Sequence, residues 1–396
     1  MIENPTSAPR PSAIAPTARG AFLLIFLFTL AATPATYVTS NYLSDSFGEA
    51  SVGWLYAIAA IVSILGLSLG YAAVKRFGNA RVFNVVALVA LLSTAALAVG
   101  GSPWLIGVGF LLSFTAGVVG NFSIDIFLES ATKNEHTGKV RGWNLTFENV
   151  AFLLGPLLAG IILAEGQYWR VFALGAAILG FTWMFGRRRF ANFVDPKYRA
   201  SGAWASLQEI LGRWNTRKAF LCFLALNLFY AWMVIYTPIY LVHSVGLPLS
   251  EVMLIIAVAL IPFVALQEWV GRLADCCTGE QEFLASGLAV MGLATLALPL
   301  ITSQSFWVWA LALLMTRVGA AVVEAMCYSY IFKKIDAEDA GSMQLLHAIR
   351  PAATVAAPIL AIAILAVAGD IRALYVVLGI VCLLAIIPAL RLRDTR

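Results

Sequence analysis

The chain has 396 residues, of which 61% are hydrophobic and 12% are charged, and its formal net charge is +5. This composition excludes an ordinary soluble domain, in which about half of the residues are apolar and about a quarter are charged. The basic residues lie mainly in short loops, where anionic lipid attracts them, so the net charge indicates no nucleic-acid partner.

Twelve apolar runs fill most of the chain, and the loops between them are too short to hold a soluble domain. A helix of about 20 apolar residues crosses the roughly 30 Å hydrocarbon core of a bilayer. We therefore predict an all-α membrane protein with twelve transmembrane helices. Spans one to twelve are Ala21–Leu43, Val52–Val74, Val82–Ala98, Trp104–Leu128, Trp143–Leu163, Trp169–Phe185, Phe220–Val242, Glu251–Leu273, Phe283–Ile301, Phe306–Phe332, Met343–Ala368 and Leu374–Leu392.

Polar segments divide the chain into two halves. Residues 1–19 contain four prolines and no apolar core, so we expect a disordered cytoplasmic tail and no signal peptide. Residues 20–186 and 218–392 each hold six spans, and 393–396 form a second cytoplasmic tail. In the cytoplasmic central loop, 187–217, apolar residues at helical spacing from Trp204 to Trp214 predict a helix in the membrane interface, with an unstructured linker as the alternative.

The distribution of Lys and Arg predicts the orientation. Nearly all of them lie on the side of the two termini, and the opposite side has only Arg170 and Arg372. The positive-inside rule places both termini in the cytoplasm, for a protein of the cell's inner membrane. The adjacent Cys276 and Cys277 then lie in a cytoplasmic turn, and the cysteines indicate no disulfide framework.

Short matches between the halves indicate an internal repeat. Gly155-Pro156 in span five corresponds to Ala357-Pro358 in span eleven, and spans four and ten both end in Ile-Phe. Because the matches occur in the same order, we expect two pseudo-symmetric six-helix bundles that arose by duplication.

Twelve spans, cytoplasmic termini, a six-plus-six repeat and a basic central loop resemble the major facilitator superfamily, from about Arg19 to the end of the chain. The run Gly271–Asp275 is similar to the start of the family's signature between spans eight and nine, and Arg76-Phe77-Gly78 keeps part of the equivalent turn. The resemblance implies a secondary transporter that works by alternating access, with a solute site near the bilayer midplane. It implies a small-molecule substrate, protons and membrane lipids as partners, a monomer, and no cofactor or metal.

Ionisable groups within spans are the first candidates for function, because each costs about 2.5–3.5 kcal/mol on insertion scales. Arg317 and Glu324 lie two helical turns apart and share one face of span ten. Glu148 and Arg350 each lie eight residues before a repeat proline and have opposite charges. They predict a latch between the bundles, with pairing inside each half as the alternative. His347 is a candidate proton relay or a hydrogen-bonded packing residue.

Four charged residues towards the cytoplasmic ends of the spans are candidates for gating. The family resemblance implies Asp275 and Arg76, which lie in the two signature-like turns. Asp125 and Glu268 lie close to the inner boundary, where a charged side chain reaches water at little cost, so a structural role is favoured for them.

Uncharged polar residues complete the set of substrate and coupling candidates. Pro34 and Pro238 are expected to kink spans one and seven, and kinked spans with nearby aromatic residues suit a binding site. Packing and interfacial roles are the alternative for each residue. The candidates are Tyr37, Asn41, Asn121, Asn149, Asn227, Tyr230 and Tyr236.

The motifs of soluble enzymes are missing: the sequence has no P-loop, no zinc-ligand spacing and no Gly-x-Ser-x-Gly, so we expect no enzyme. Arg317 and Arg350 favour an anionic or zwitterionic solute, and buried carboxylates favour proton coupling. Gly155-Pro156 with Gly160 is similar to part of the span-five motif of drug–proton antiporters, so multidrug efflux is the alternative. A transporter-like sensor or a membrane-embedded enzyme fits less well.

Overall fold

The computed structural model describes residues 16–130, 137–163, 167–195, 214–274, 279–334 and 340–392. Every regular element in these ranges is helical. The α-helices are α1 Pro16–Thr36, α2 Val38–Phe47, α3 Glu49–Phe77, α4 Asn79–Val99, α5 Pro103–Ser130, α6 Thr137–Ile162, α7 Trp169–Arg189, α8 Trp214–Ile239, α9 Leu249–Ala265, α10 Gln267–Leu273, α11 Glu280–Ala297, α12 Phe306–Lys334, α13 Ala340–Ala368, α14 Arg372–Leu384 and α15 Ile386–Ala389. A π-helical turn, Tyr240–Ser244, continues α8, and a 3₁₀ turn, Leu298–Leu300, continues α11.

These helices confirm the prediction of an all-α membrane protein with about twelve spans. Eleven stretches in the described ranges are long and apolar enough to cross a membrane, and a shorter apolar helix, Ala352–Ala368, lies in the predicted span eleven. Twelve alternating spans bring both ends of the chain to one face, here called the termini face. The turn between α2 and α3 then lies at the other, distal face. Residues 1–15, 204–213 and 393–396 of the predicted tails and interfacial helix fall outside the described ranges, whereas Pro16–Arg19 begin α1 and Trp214 begins α8.

Three of the spans are interrupted shortly after a proline. Pro34 lies inside α1, which ends before Tyr37, and Pro262 lies inside α9, which ends before Leu266. Pro238 lies near the end of α8, where the π-helical turn begins. Proline removes a backbone donor and its ring clashes with the preceding turn, so a helix bends or breaks there. The interruptions bring Tyr37 and Gln267 to helix ends, where the backbone direction changes.

The helices pack as two groups whose internal contacts match. In the first group, α1 contacts α5, α6 and α7, α4 contacts α5 and α7, and α3 contacts α5. In the second group, α8 contacts α12, α13 and α14, α11 contacts α12 and α14, and α9 contacts α12. The second set repeats the first with each span advanced by six, as the sequence repeat predicts. The two groups meet where α6 contacts α9, α3 contacts α13 and α2 contacts α8.

Close packing explains the glycine of the span-five motif. A Cβ added at Gly155 would lie 2.7 Å from the Thr33 carbonyl carbon, and the Thr33 hydroxyl donates to the Ala151 carbonyl at 3.0 Å. A contact also holds the matching position in the second half, where the Trp232 indole donates to the Ala357 carbonyl at 2.6 Å. The repeat therefore preserves a helix–helix contact, which requires no particular solute.

Candidate functional site

A buried arginine lies on α12, at the junction of the two groups of helices. Arg317 is 3% exposed, and its guanidinium carbon lies 4.9 Å from the centre of the Phe229 ring. The Tyr37 hydroxyl is within hydrogen-bonding reach of the guanidinium. Because Tyr37 follows α1 while Arg317 and Phe229 come from the second group, both halves of the protein contribute to the site.

Tyrosines from three different spans surround this guanidinium. Tyr37, Tyr230 and Tyr375 all lie close enough to interact with Arg317 electrostatically. Tyr375 also donates a hydrogen bond to the Thr237 hydroxyl at 3.3 Å. A phenol both donates and accepts hydrogen bonds, so these groups can bind an anionic ligand or, in its absence, one another.

The positive charge of Arg317 has no carboxylate partner in the part of the chain that the structure describes. Its Nη1 atom also makes no hydrogen bond within those residues. Glu324 lies two turns further along α12, about 10 Å away by helical rise, which is too far for an ion pair. An unpaired buried charge costs several kcal/mol. A ligand carrying a negative charge would offset this cost, so the site suits an anion.

Further polar groups extend the site towards the distal face. The Asn41 side chain and the Tyr236 and Tyr240 hydroxyls are buried without hydrogen-bond partners among the described residues. They lie on α2 and on the end of span seven, which pack together across the two groups. Tyr240 also packs against Tyr375, with ring centres 5.3 Å apart. Buried polar groups are normally hydrogen-bonded, so unpartnered ones in one region mark a place where a polar ligand can bind.

A second polar cluster joins the two groups nearer the termini face, and we call it the amide chain. Glu324 is 3% exposed and accepts a hydrogen bond from the Gln267 amide nitrogen at 2.7 Å. The Gln267 amide oxygen accepts one from Asn149 at 2.9 Å. Asn149 is on α6 of the first group, whereas Gln267 and Glu324 are in the second. The amide chain therefore links a titratable carboxyl group to the other half of the protein.

The other predicted substrate residues are dispersed. Asn227 is buried and donates to the Phe223 carbonyl of its own helix at 2.7 Å. Asn121 is exposed on α5. Glu148 is half-buried and accepts a hydrogen bond from Asn144 at 3.0 Å.

The structure describes only part of the predicted gating and latch set. The side chains of Glu268, His347 and Arg350, and the whole of Asp275, lie outside the described part of the chain. Asp125 is half-buried, and Arg76 is exposed with its guanidinium 5.2 Å from the centre of the Phe77 ring. The latch between Glu148 and Arg350 and the gating roles stay predictions.

Sequence reasoning missed Gln267, Phe229, Tyr240 and Tyr375 of these clusters. Gln267 is a polar residue inside an apolar span, the same signal that selected Asn149, and it could have been found in that way. Phe229, Tyr240 and Tyr375 carry no such signal, because aromatic residues are common throughout the spans.

Comparison with known proteins identifies the family. A family model described as Major Facilitator Superfamily matches residues 21–347 and, in a second match, residues 240–396. The chain belongs to the major facilitator superfamily. This superfamily protein is also similar in structure to the nucleoside transporter NupG, crystallised as an aspartate-to-alanine mutant. The TM-score is 0.71 at 14% sequence identity, over 96% of this chain and 100% of that one. At this identity the likeness shows the fold alone.

No curated protein sequence matches the chain. The family and the fold nevertheless agree with one another. They point to an integral, multi-pass membrane transporter of the major facilitator type rather than to an enzyme.

Proposed function

We propose that this major facilitator protein is a secondary transporter that moves a small anionic or zwitterionic solute across the inner membrane by alternating access. One observation carries the proposal: Arg317 is buried between the two halves, and no carboxylate among the described residues pairs with it. Family membership supports transport in general. The charge of the site supports the class of solute.

The solute's anionic group binds the Arg317 guanidinium in this proposal. A guanidinium presents its N–H donors as a planar fork that matches a carboxylate or a phosphate. Tyr37 and Tyr230 then donate to the remaining oxygen lone pairs of the anion, and Phe229 with Tyr375 packs against the body of the solute. Because Tyr37 belongs to the first half and Arg317 to the second, a bound solute contacts both halves and can influence their relative movement.

Glu324 is the proposed site of proton coupling. Ionised Glu324 accepts the hydrogen bond from Gln267, and a carboxylate in a buried place gains stability from such a donor. When the halves separate at the termini face, the link from Gln267 to Asn149 breaks and water reaches the carboxyl group. The environment of Glu324, and with it its affinity for a proton, then differs between the two states.

The alternative of drug efflux loses its main support in this geometry. The span-five glycine is required by its contact with Thr33. Arg317, which no carboxylate among the described residues pairs with, would repel a cationic drug. We therefore place an anionic or zwitterionic solute first.

The proposed orientation predicts that Cys276 and Cys277 react with thiol reagents from the cytoplasmic side only. The described cysteines, Cys222, Cys327 and Cys382, are buried, so a membrane-impermeant maleimide should report on this pair. Inverted vesicles should label and intact cells should not. Changing both residues to serine should remove the signal, and labelling of intact cells at these positions would reverse the orientation.

Counterflow in proteoliposomes tests the function itself. Vesicles loaded with one unlabelled solute should accumulate its labelled form, and the panel should pair solutes of similar size as anion, zwitterion, neutral analogue and cation. We expect exchange of an anion or zwitterion, and net accumulation when a pH gradient is imposed. Exchange of cationic dyes alone would show that the protein is a drug transporter, and the proposed solute class would be wrong.

A further inference from the structure

Four titratable side chains meet at the distal face, away from Arg317 and Glu324. His243, in the π-helical turn after α8, contacts the Glu49 carboxylate through Nδ1. Its Nε2 atom lies 3.7 Å from Asp45 Oδ1. On the other side of Asp45, the Tyr168 hydroxyl donates to Oδ2. We call these four residues the distal cluster.

The distal cluster joins the two halves of the protein. His243 belongs to the second group of helices, whereas Asp45, Glu49 and Tyr168 belong to α2, α3 and the turn before α7 in the first. All three partners are at the ends of spans, where the halves separate if this face opens. The cluster is also open to water, since the side chains of His243, Asp45 and Glu49 are 29%, 50% and 55% exposed. It can therefore exchange protons with the medium at this face.

Tyr168 engages one carboxylate oxygen of Asp45 as a hydrogen-bond acceptor. Burial raises the pKa of the Tyr168 hydroxyl, and the hydrogen bond to Asp45 and its negative charge raise that pKa further. The phenol thus remains a donor at every ordinary pH. With Oδ2 engaged by this donor, Oδ1 faces the histidine ring.

The two ring nitrogens of His243 face different carboxylates, and this arrangement distinguishes the charged ring from the neutral one. A neutral imidazole has one N–H donor and one acceptor nitrogen. If Nδ1 donates to Glu49, Nε2 then turns a lone pair towards Asp45, and the two repel. Only the imidazolium presents an N–H to each carboxylate. Closure of the distal face therefore assembles two negative charges around a position that suits a protonated ring.

We propose that the distal cluster is a proton-binding site that closes the distal face, with His243 as the group that takes up the proton. The closed arrangement binds the proton more tightly than the open one, because opening removes His243 from Glu49 and Asp45. By reciprocity, acidification favours closure and alkalinisation favours opening. The titratable groups that contact the ring are Asp45 and Glu49, and Tyr168 acts through Asp45. This site needs neither the Arg317 solute site nor Glu324 in order to work.

Distances between spin labels at the distal face test the proposal. Ser102 lies in the turn between α4 and α5 and Thr302 in the equivalent turn of the second half, and both are exposed. Nitroxide labels at these two positions, in nanodiscs and with Cys276 and Cys277 changed to serine, report separation of the halves. Between about pH 8 and about pH 5.5 histidine changes its charge, so the closed population should rise on acidification. For partly exposed ion pairs we expect a two- to fivefold change in the closed-to-open ratio, roughly.

Three variants separate the distal cluster from other titrating groups. Because Glu324 is itself a proposed proton site, all variants are made in an E324Q background. In that background H243Q and E49Q should each remove the response to pH, and Glu49→Gln keeps the test decisive if the histidine variant does not fold. E251Q is the matched control, because Glu251 is a carboxylate in the first turn of α9 near the same face, and it should respond as the unmodified protein does. A response to pH that survives in H243Q or E49Q would overturn the proposal. So would a distal distance that does not change with pH in the unmodified cluster.

Discussion

Arg317→Gln is expected to abolish transport of the anionic solute while leaving the protein folded. Truncating one partner of a buried charge-assisted pair costs about 2–5 kcal/mol, so uptake should fall by at least about thirtyfold. We do not expect the thermal stability of the variant to fall in the same way as its transport. Without solute, Arg317 is a buried charge with no carboxylate partner among the described residues, so a neutral side chain removes a desolvation cost. The variant should therefore unfold at the same or a higher temperature than the parent protein.

Counterflow and thermal unfolding of the same purified samples measure both effects. Arg372→Gln is the matched control, because Arg372 is an exposed arginine outside the buried site, and it should change neither quantity. Arg317→Lys keeps the charge but loses the fork of donors, so it should retain part of the activity. Normal counterflow by R317Q would show that Arg317 has a structural role. Loss of folding in R317Q would show that its charge is satisfied inside the protein.

Glu324→Gln is expected to separate exchange from accumulation. Glutamine has nearly the same size and can still accept from Gln267, but it cannot release a proton. Counterflow, which needs no net proton movement, should continue at a rate close to normal. In the proposed coupling, accumulation driven by a pH gradient needs the Glu324 carboxyl group to titrate, so it should fall by about tenfold or more when that group cannot release a proton.

The two assays are run on the same vesicles, first without and then with an imposed pH gradient. E282Q is the control for loss of a carboxylate, since Glu282 is exposed near the start of α11. Gln267→Leu removes the amide between Glu324 and Asn149, and it should shift the pH dependence of accumulation without abolishing exchange. Gradient-driven accumulation that survives in E324Q would place proton coupling elsewhere in the protein.

The spans could be predicted from the sequence because a helix that crosses a bilayer must match its thickness. The repeat could be predicted because short motifs recur in the same order in the two halves. Arg317 and Glu324 could be predicted as site residues because a charge inside an apolar span has a free-energy cost that only a function or a partner offsets. Asn149, Tyr37 and Tyr230 were selected on a different ground, as uncharged polar residues within spans. All five lie in the two buried clusters that link the halves.

The residues that these side chains contact could not be predicted from the sequence. Tyr37 and Arg317 meet because α1 ends shortly after Pro34, and Gln267 meets Glu324 because α9 ends shortly after Pro262. Each break changes the phase of the helix, so helical spacing along a whole span assigns the wrong face beyond it. The distal cluster was not predicted, for a different reason. Asp45, Glu49 and His243 lie at the ends of spans, where charged residues are ordinary.

The relative movement of the two halves at both faces is the most direct test of alternating access around the Arg317 site. Spin-label pairs at Ser102 and Thr302 report the distal face, and pairs at Arg81 and Glu282, near the starts of α4 and α11, report the termini face. Addition of a solute that the counterflow assay has identified should change the two distances in opposite directions. It should change neither distance in R317Q. Two distances that change together, or that do not respond to a transported solute, would contradict transport by alternation between the two halves.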